Sequence, residues 1–386
     1  MSLELLDKVR RQLAAQSRPG SRDAASGTAE IVRALRASGA APPDQTSLLR
    51  LSEALSGDLI GAGPLQPLLD DPAVTDVVVN GAGGVWADRG DGLRRTDLRL
   101  GRADTVRSLA CRLAAAAGRR LDAGSPYADV RLPDGTRFHA VLPPIATDGP
   151  YLSFRTHRSK AFTLTQLVEA DTLTADMADL LLRMIRARLP FLVTGGTGCG
   201  KTTLLASLLS NAPADERIVV VEDAAELALD HPHALTLESR PANVEGAGAV
   251  DLAALVRQAL RMRPDRIVVG ECRGAEVVEL LGALNTGHEG GAGTLHCNTA
   301  ADVPARLEAL ALPHGLPRAG LHAQLVAALR VVVHLKRTGA GRQATEIAVI
   351  DSGPSAAGLT VSAAWTRHGP GPSAGILERL LRERTA

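Results

Sequence analysis

Residues 195–203 read Gly195-Gly196-Thr197-Gly198-Cys199-Gly200-Lys201-Thr202-Thr203, which fits G-x-x-x-x-G-K-T. Glycines let the backbone curl until successive N–H groups converge on an anion. A lysine after the last glycine reaches β- and γ-phosphates, and the following threonine hydroxyl suits Mg²⁺. The flanks agree with that chemistry. Pro190-Phe191-Leu192-Val193-Thr194 reads as a short buried strand, and residues 201–209 read as a helix. Strand, glycine loop and helix together set a phosphate on the positive end of the helix dipole. A plain glycine-rich turn is the competing reading, and it leaves the Lys-Thr spacing unexplained.

Three more polar residues end apolar runs. Glu222 follows Ile218-Val219-Val220-Val221, Glu271 follows Ile267-Val268-Val269-Gly270, and His296 follows Ala292-Gly293-Thr294-Leu295. Ligands of open parallel sheets sit outside the carboxyl ends of the strands, so all three residues point to the phosphate edge. Phosphoryl transfer needs a metal ion, an oriented water and positive charge on the γ-phosphate. Gly270 stands where a Walker B motif carries Asp, so Thr202 and waters must hold Mg²⁺. Glu271 is then the base that orients water, or a ligand of Mg²⁺ through water. Glu222 is the second candidate for both roles. The plain alternative for either carboxylate is capping of a neighbouring helix.

The elements that must carry these groups follow from pattern. From about 164 to 350, strands alternate with helices, which predicts an α/β domain with a parallel sheet. Asp251 caps a helix whose apolar face is Leu252, Leu255, Val256, Ala259 and Leu260. Residues 47–156 form a smaller α/β domain. It has a strand at Val74–Asn80, a hairpin near 85–92, a helix from Thr105 to Ala116, a hairpin around Pro133-Asp134-Gly135 and a strand at Leu152–Arg155. Residues 1–46 form a helical extension and linker, 157–163 a polar joint between the domains, and 351–386 a tail.

Composition limits the possibilities. Apolar residues are 45% and charged residues 22% of the 386-residue chain, enough for two cores. A net charge of +1 provides no strong field for nucleic acid or membrane. Five of the few aromatic residues (Tyr127, Phe138, Tyr151, Phe154 and Phe162) fall in one stretch, so the rest lacks a platform for stacking bases. The four cysteines form no C-x-x-C pair and read as reduced thiols. The start of the chain lacks a secretory signal core, and no apolar run nears the roughly 18 residues of a membrane span. Cys272, His288, His296 and Cys297 match no usual zinc spacing. Cys199 fits as a small residue among glycines, although the nearby lysine and helix terminus would lower a thiol pKa.

Longer stretches carry a family resemblance. Leu260-Arg261-Met262-Arg263-Pro264-Asp265 through Gly270-Glu271-Cys272-Arg273-Gly274 resembles the Walker B region of the secretion ATPase superfamily. Asn285-Thr286-Gly287-His288-Glu289-Gly290 through His296-Cys297-Asn298 resembles its histidine box, and Val221-Glu222-Asp223-Ala224-Ala225-Glu226-Leu227 its aspartate box. Gly61–Leu65, Thr75–Gly81 and Asp129–Arg137 resemble its N-terminal domain. The nearest branch is the Tad/Flp pilus assembly type, and the resemblance spans about residues 58–350.

That resemblance implies a RecA-like P-loop NTPase domain, a PAS-like N-terminal domain, ATP with Mg²⁺, and a homohexamer. It further implies a cytoplasmic motor at the inner face of the membrane, docked on platform proteins of a pilus, secretion or conjugation system. Arg137 and Arg155, with Arg131 as a further candidate, would reach the γ-phosphate from the N-terminal domain. His288 and His296 would sense that phosphate and pass its state to a neighbouring subunit. No direct nucleic-acid binding is expected; the alternative is a RecA-like ATPase that binds or translocates DNA.

Overall fold

The computed structural model describes residues 61–81, 84–90, 92–156, 161–240, 247–339, 341–353 and 358–385. The helices expected before residue 40, the linker after them and most of the joint at 157–163 lie outside the described residues. The chain divides into two units, 1–157 and 158–386.

The described part of the first unit includes a short helix, α1 (Gln66–Leu69). Among its described residues are six strands, β1 (Asp76–Asn80), β2 (Gly84–Asp88), β3 (Leu93–Arg99), β4 (Tyr127–Arg131), β5 (Arg137–Val141) and β6 (Tyr151–Arg155). They form an antiparallel sheet ordered β3-β2-β1-β6-β5-β4. The expected hairpins and helix are present, the latter as α2 (Ala103–Ala116). Alternation fixes the faces. Val77, Val79, Val85, Phe138, Ala140, Leu152 and Phe154 are buried in one core with Val106, Ala110 and Leu113 of α2. Residues between them in sequence occupy the other face. One row across it holds Arg131, Arg137 and Arg155 as neighbours on β4, β5 and β6.

The second unit begins with α3 (Leu164–Glu169) and α4 (Ala175–Arg186), then β7 (Phe191–Gly195) and α5 (Lys201–Leu209). There follow β8 (Ile218–Glu222), β9 (Ala234–Glu238), α6 (Leu252–Ala259), β10 (Arg266–Cys272), α7 (Glu276–Leu284) and β11 (Ala292–His296). The chain ends with α8 (Val303–Ala311), α9 (Arg318–Ala328), β12 (Val331–Thr338), β13 (Gly341–Ser352), β14 (Leu359–Thr366), β15 (Gly369–Pro370) and α10 (Ala374–Thr385). Nine strands form one sheet, ordered β15-β14-β13-β12-β7-β11-β10-β8-β9. The six from β12 to β9 are parallel, as expected. The other three extend the sheet antiparallel, which the alternation of strands and helices did not reveal.

Helices cover both faces. Phe191 and Val193 face Leu180 of α4, Leu204 of α5 and Leu381 of α10. Leu192, Val219 and Val269 face α6 to α9 through Leu255, Leu281, Leu307 and Leu325. The segment set apart as a tail therefore belongs to this unit. β14 pairs with β13, Leu377, Leu380 and Leu381 enter the core, and Arg183 forks onto the Glu378 carboxylate at 3.0 and 2.7 Å.

At the amino edge of the sheet, Arg266 and Glu216 are both buried, and they pair directly. Arg266 also donates to Ile185 O at 2.7 Å and Gly290 O at 3.4 Å, while Arg188 donates to Glu216 at 2.7 Å. These bonds tie the end of α4 to the turns that start β8, β10 and β11.

Candidate active site

The phosphate loop leaves β7 between β11 and β12. Gly195 has φ of +148°, and a Cβ there would lie 2.3 Å from Leu335 O. Only glycine fits where β12 crowds the loop. Cys199 packs beside this point; its Sγ would lie 2.6 Å from the same Cβ. Burial pushes its thiol above the usual value and outweighs the Lys201 charge, so the lowering considered from sequence does not occur.

Lys201 opens α5 and is only 7% exposed. Its ammonium donates to Gly195 O at 3.1 Å and Gly196 O at 2.9 Å. It also lies 3.3 Å from His296 Nδ1. His296 Nε2 lies 2.9 Å from Glu271 Oε1, and Glu271 Oε2 accepts from Arg273 Nη2 at 2.6 Å. Lys201, His296, Glu271 and Arg273 thus form one polar chain. An ammonium can only donate, which assigns the His296 proton to Nε2, facing Glu271. Burial, reinforced by Lys201, depresses the His296 pKa and keeps the ring neutral at pH 7. Burial would raise the pKa of Glu271, but the Arg273 hydrogen bond and charge, with His296 and Lys201, hold it below the usual carboxylate value. Burial lowers that of Lys201. Glu271 is therefore ionised at neutral pH, a form suited to orienting water through hydrogen bonds.

Glu222 is 3% exposed at the end of β8. Its Oε1 accepts from the backbone N–H groups of Glu226 at 3.1 Å and Leu227 at 3.0 Å. It also accounts for the glycine in the Walker B position. A Cβ on Gly270 would lie 2.5 Å from Glu222 Cγ, so the Glu222 side chain fills the space of the absent aspartate. Part of Glu222 thus works as an anchor for residues 226 and 227.

Thr202 and Thr203 lie in the first turn of α5, half-buried. Among the described residues no group of three or more His, Cys, Asp or Glu side chains converges as a metal site. Thr202 with phosphate oxygens and water suits Mg²⁺, which keeps much of its hydration shell. Beside the loop, Gly196, Thr197 and His296 line a cavity of about 400 Å³ with Asn298, Asp302 and Arg306.

Not every expected residue joins this cluster. His288 precedes β11, whereas His296 ends it, so they lie at opposite edges of the sheet, roughly 15 Å apart by strand rise. The crossover through α7 must return the chain to the amino edge before a parallel strand can begin. There the next residue, Glu289, meets Arg384 at 3.3 Å. His288 is therefore not a phosphate ligand of its own chain. Arg137 and Arg155 belong to the first unit, where Arg137 forks onto Asp129 at 3.1 and 2.7 Å. Arg273, Arg306 and Arg342 were not singled out from sequence. The place of Arg273, two residues after Glu271, was a usable signal. Arg342 reaches the loop only through the fold, donating from Nε to Gly198 O at 3.0 Å.

A glycine loop on the carboxyl edge of a parallel sheet, with a carboxylate two strands away and a histidine on the strand between, defines a RecA-like P-loop NTPase. Residues 58–360 match the family model described as type II/IV secretion system protein, and the chain belongs to that family, within the secretion ATPase superfamily. It is 51% identical over 348 residues to a putative conjugal transfer protein of Mycobacterium tuberculosis (strain ATCC 25618 / H37Rv), covering 88% of this chain and 99% of that one. It is 33% identical over 289 residues to the conjugal transfer protein TrbB of Rhizobium radiobacter, covering 73% and 85%. Its fold is similar to that of the Legionella pneumophila ATPase DotB, with TM-score 0.54 and 22% identity over 74% of this chain and 79% of that one.

Proposed function

We propose that this chain is a Mg²⁺-dependent ATP hydrolase that works as a homohexamer. It docks on inner-membrane platform proteins at the cytoplasmic face and drives Tad/Flp-type pilus assembly, type II/IV secretion or conjugal transfer. The observation that carries the catalytic part is the polar chain Lys201–His296–Glu271–Arg273 beside the glycine loop. Lys201 exchanges its bonds to Gly195 and Gly196 for β- and γ-phosphate oxygens. Glu271 orients the attacking water, and His296, between lysine and carboxylate, registers whether a γ-phosphate has drawn Lys201 away. Thr202 would hold Mg²⁺, which supplies charge to the phosphates. The row of Arg131, Arg137 and Arg155 supports a second, arginine-based clamp, since forked guanidinium groups suit phosphate oxygens. The names of two relatives, both conjugal transfer proteins, support conjugal transfer among these systems. The described residues contain no helix long and apolar enough to cross a membrane.

The test joins rate to assembly. Specific ATPase activity should rise more than linearly from nanomolar to micromolar chain with Mg²⁺ present, in step with sedimentation of a larger species. Lys201→Ala should abolish nucleotide binding and turnover. A monomer of concentration-independent activity would leave a hydrolase without the motor.

A further inference from the structure

We infer that Arg342 is the residue that holds the nucleoside end of ATP, a role that rests on the nucleotide-binding reading above and goes beyond it. A triphosphate on this loop has a direction. Its γ end must meet Glu271 and His296, which lie on the β11 side of β7. The α-phosphate and nucleoside must then leave on the opposite side, over β12 and β13. Arg342 stands there. Its Nε donates to Gly198 O at 3.0 Å, and its Cδ is 3.4 Å from the position a Cβ on Gly200 would take. Among the described residues, its two terminal nitrogens make no hydrogen bond or ion pair. An arginine held at Nε keeps four N–H donors on its two terminal nitrogens and a flat face for a ligand.

The hairpin that carries Arg342 is itself held. Ala344 N donates to Thr172 O at 2.8 Å, and Gln343 donates to Asp171 at 2.5 Å. The aromatic residues of this unit are Phe162, Phe191 and Trp365, and Phe191 is wholly buried. A purine at this edge therefore finds a guanidinium plane from Arg342 for its face.

Inorganic tripolyphosphate separates this role from service to the loop, because it has the phosphates and no nucleoside. Binding of ATP, ADP and tripolyphosphate to the full chain would be measured by calorimetry for wild type, Arg342→Ala, Arg342→Gln and Lys201→Ala. Both Arg342 variants should weaken ATP and ADP alike, by about fivefold or more, from the loss of the guanidinium stacked on the base. Tripolyphosphate affinity should stay within about twofold. An equal loss for tripolyphosphate would overturn the inference and make Arg342 a support of the loop. Unchanged ATP and ADP affinity in both variants would overturn it too. Retention of all three ligands by Lys201→Ala would instead bring down the phosphate-loop reading on which it rests.

Discussion

Glu271 and His296 carry opposite consequences of one contact. Arg273 holds Glu271 ionised and aimed, so removing the charge should cost turnover while leaving the loop intact. Glu271→Gln should keep ATP bound and slow hydrolysis by about 10²-fold or more, read as single-turnover rate against nucleotide affinity. Wild-type turnover would move water orientation to Glu222. His296 predicts a pH response. Its folded pKa lies below the ordinary 6.5, chiefly through burial. Between the folded value and 6.5 the unfolded chain binds more protons, so this group's contribution to stability is present above 6.5 and lost as pH falls through the folded value. Protonation also sets an imidazolium against the Lys201 ammonium. Turnover should therefore hold near pH 7 and fall on an acid limb with a midpoint below 6.5. In His296→Gln that limb should vanish from the kcat profile, and an unchanged limb would assign it to another group.

Several elements reach the site from far along the chain. β12 and β13 back the phosphate loop through Leu335 O at Gly195 and Arg342 at Gly198, and β12 also hydrogen-bonds β7 between Thr194 and His334 at 2.9 Å. The opposite edge rests on the Arg266–Glu216 pair. Breaking one partner of a buried pair strands the other charge, at a cost of about 3–5 kcal/mol. Glu216→Ala should lower the denaturant midpoint of the chain by a corresponding amount, whereas Glu383→Ala, on the exposed side of α10, should change it little. Equal effects would show that the buried pair is not what holds this edge. Motif, strand and cap were legible for β7, α5, β8, α6, β10 and β11, because each has a local apolar period or a polar end residue. β14 and α10 were not. Their burial is decided by partners in the 170–190 and 340–350 regions rather than by any pattern of their own.

At the scale of the molecule, the proposal divides labour between units. The row of arginines lies in the first unit, the phosphate loop in the second. If Arg137 and Arg155 complete the site, a fragment starting at Ala161 should bind ATP weakly and lose most hydrolysis. The fragment contains the whole nine-stranded sheet and both its cores. Circular dichroism would confirm that it folds, and full turnover from a folded fragment would remove both arginines from the mechanism. His288 has a related meaning. At the amino edge of the sheet it is too far to touch its own phosphate loop, so any sensing role would have to act on another copy of the chain.

The sequence by itself determined the phosphate loop, the strands that end in Glu222, Glu271 and His296, and the order of the two domains. Those features rest on glycine freedom, apolar periodicity and polar ends, all of which act over a few residues. Only the tertiary structure decided which of the polar ends meet. It joined Lys201 to His296 across 95 positions and Arg342 to Gly198 across 144, and it filled the space beside Gly270 with Glu222. It also sent His288 to the far edge and took the tail into the sheet. Such pairings depend on strand order and crossover direction, which are set by the burial of the whole sheet between its helices rather than by any one segment.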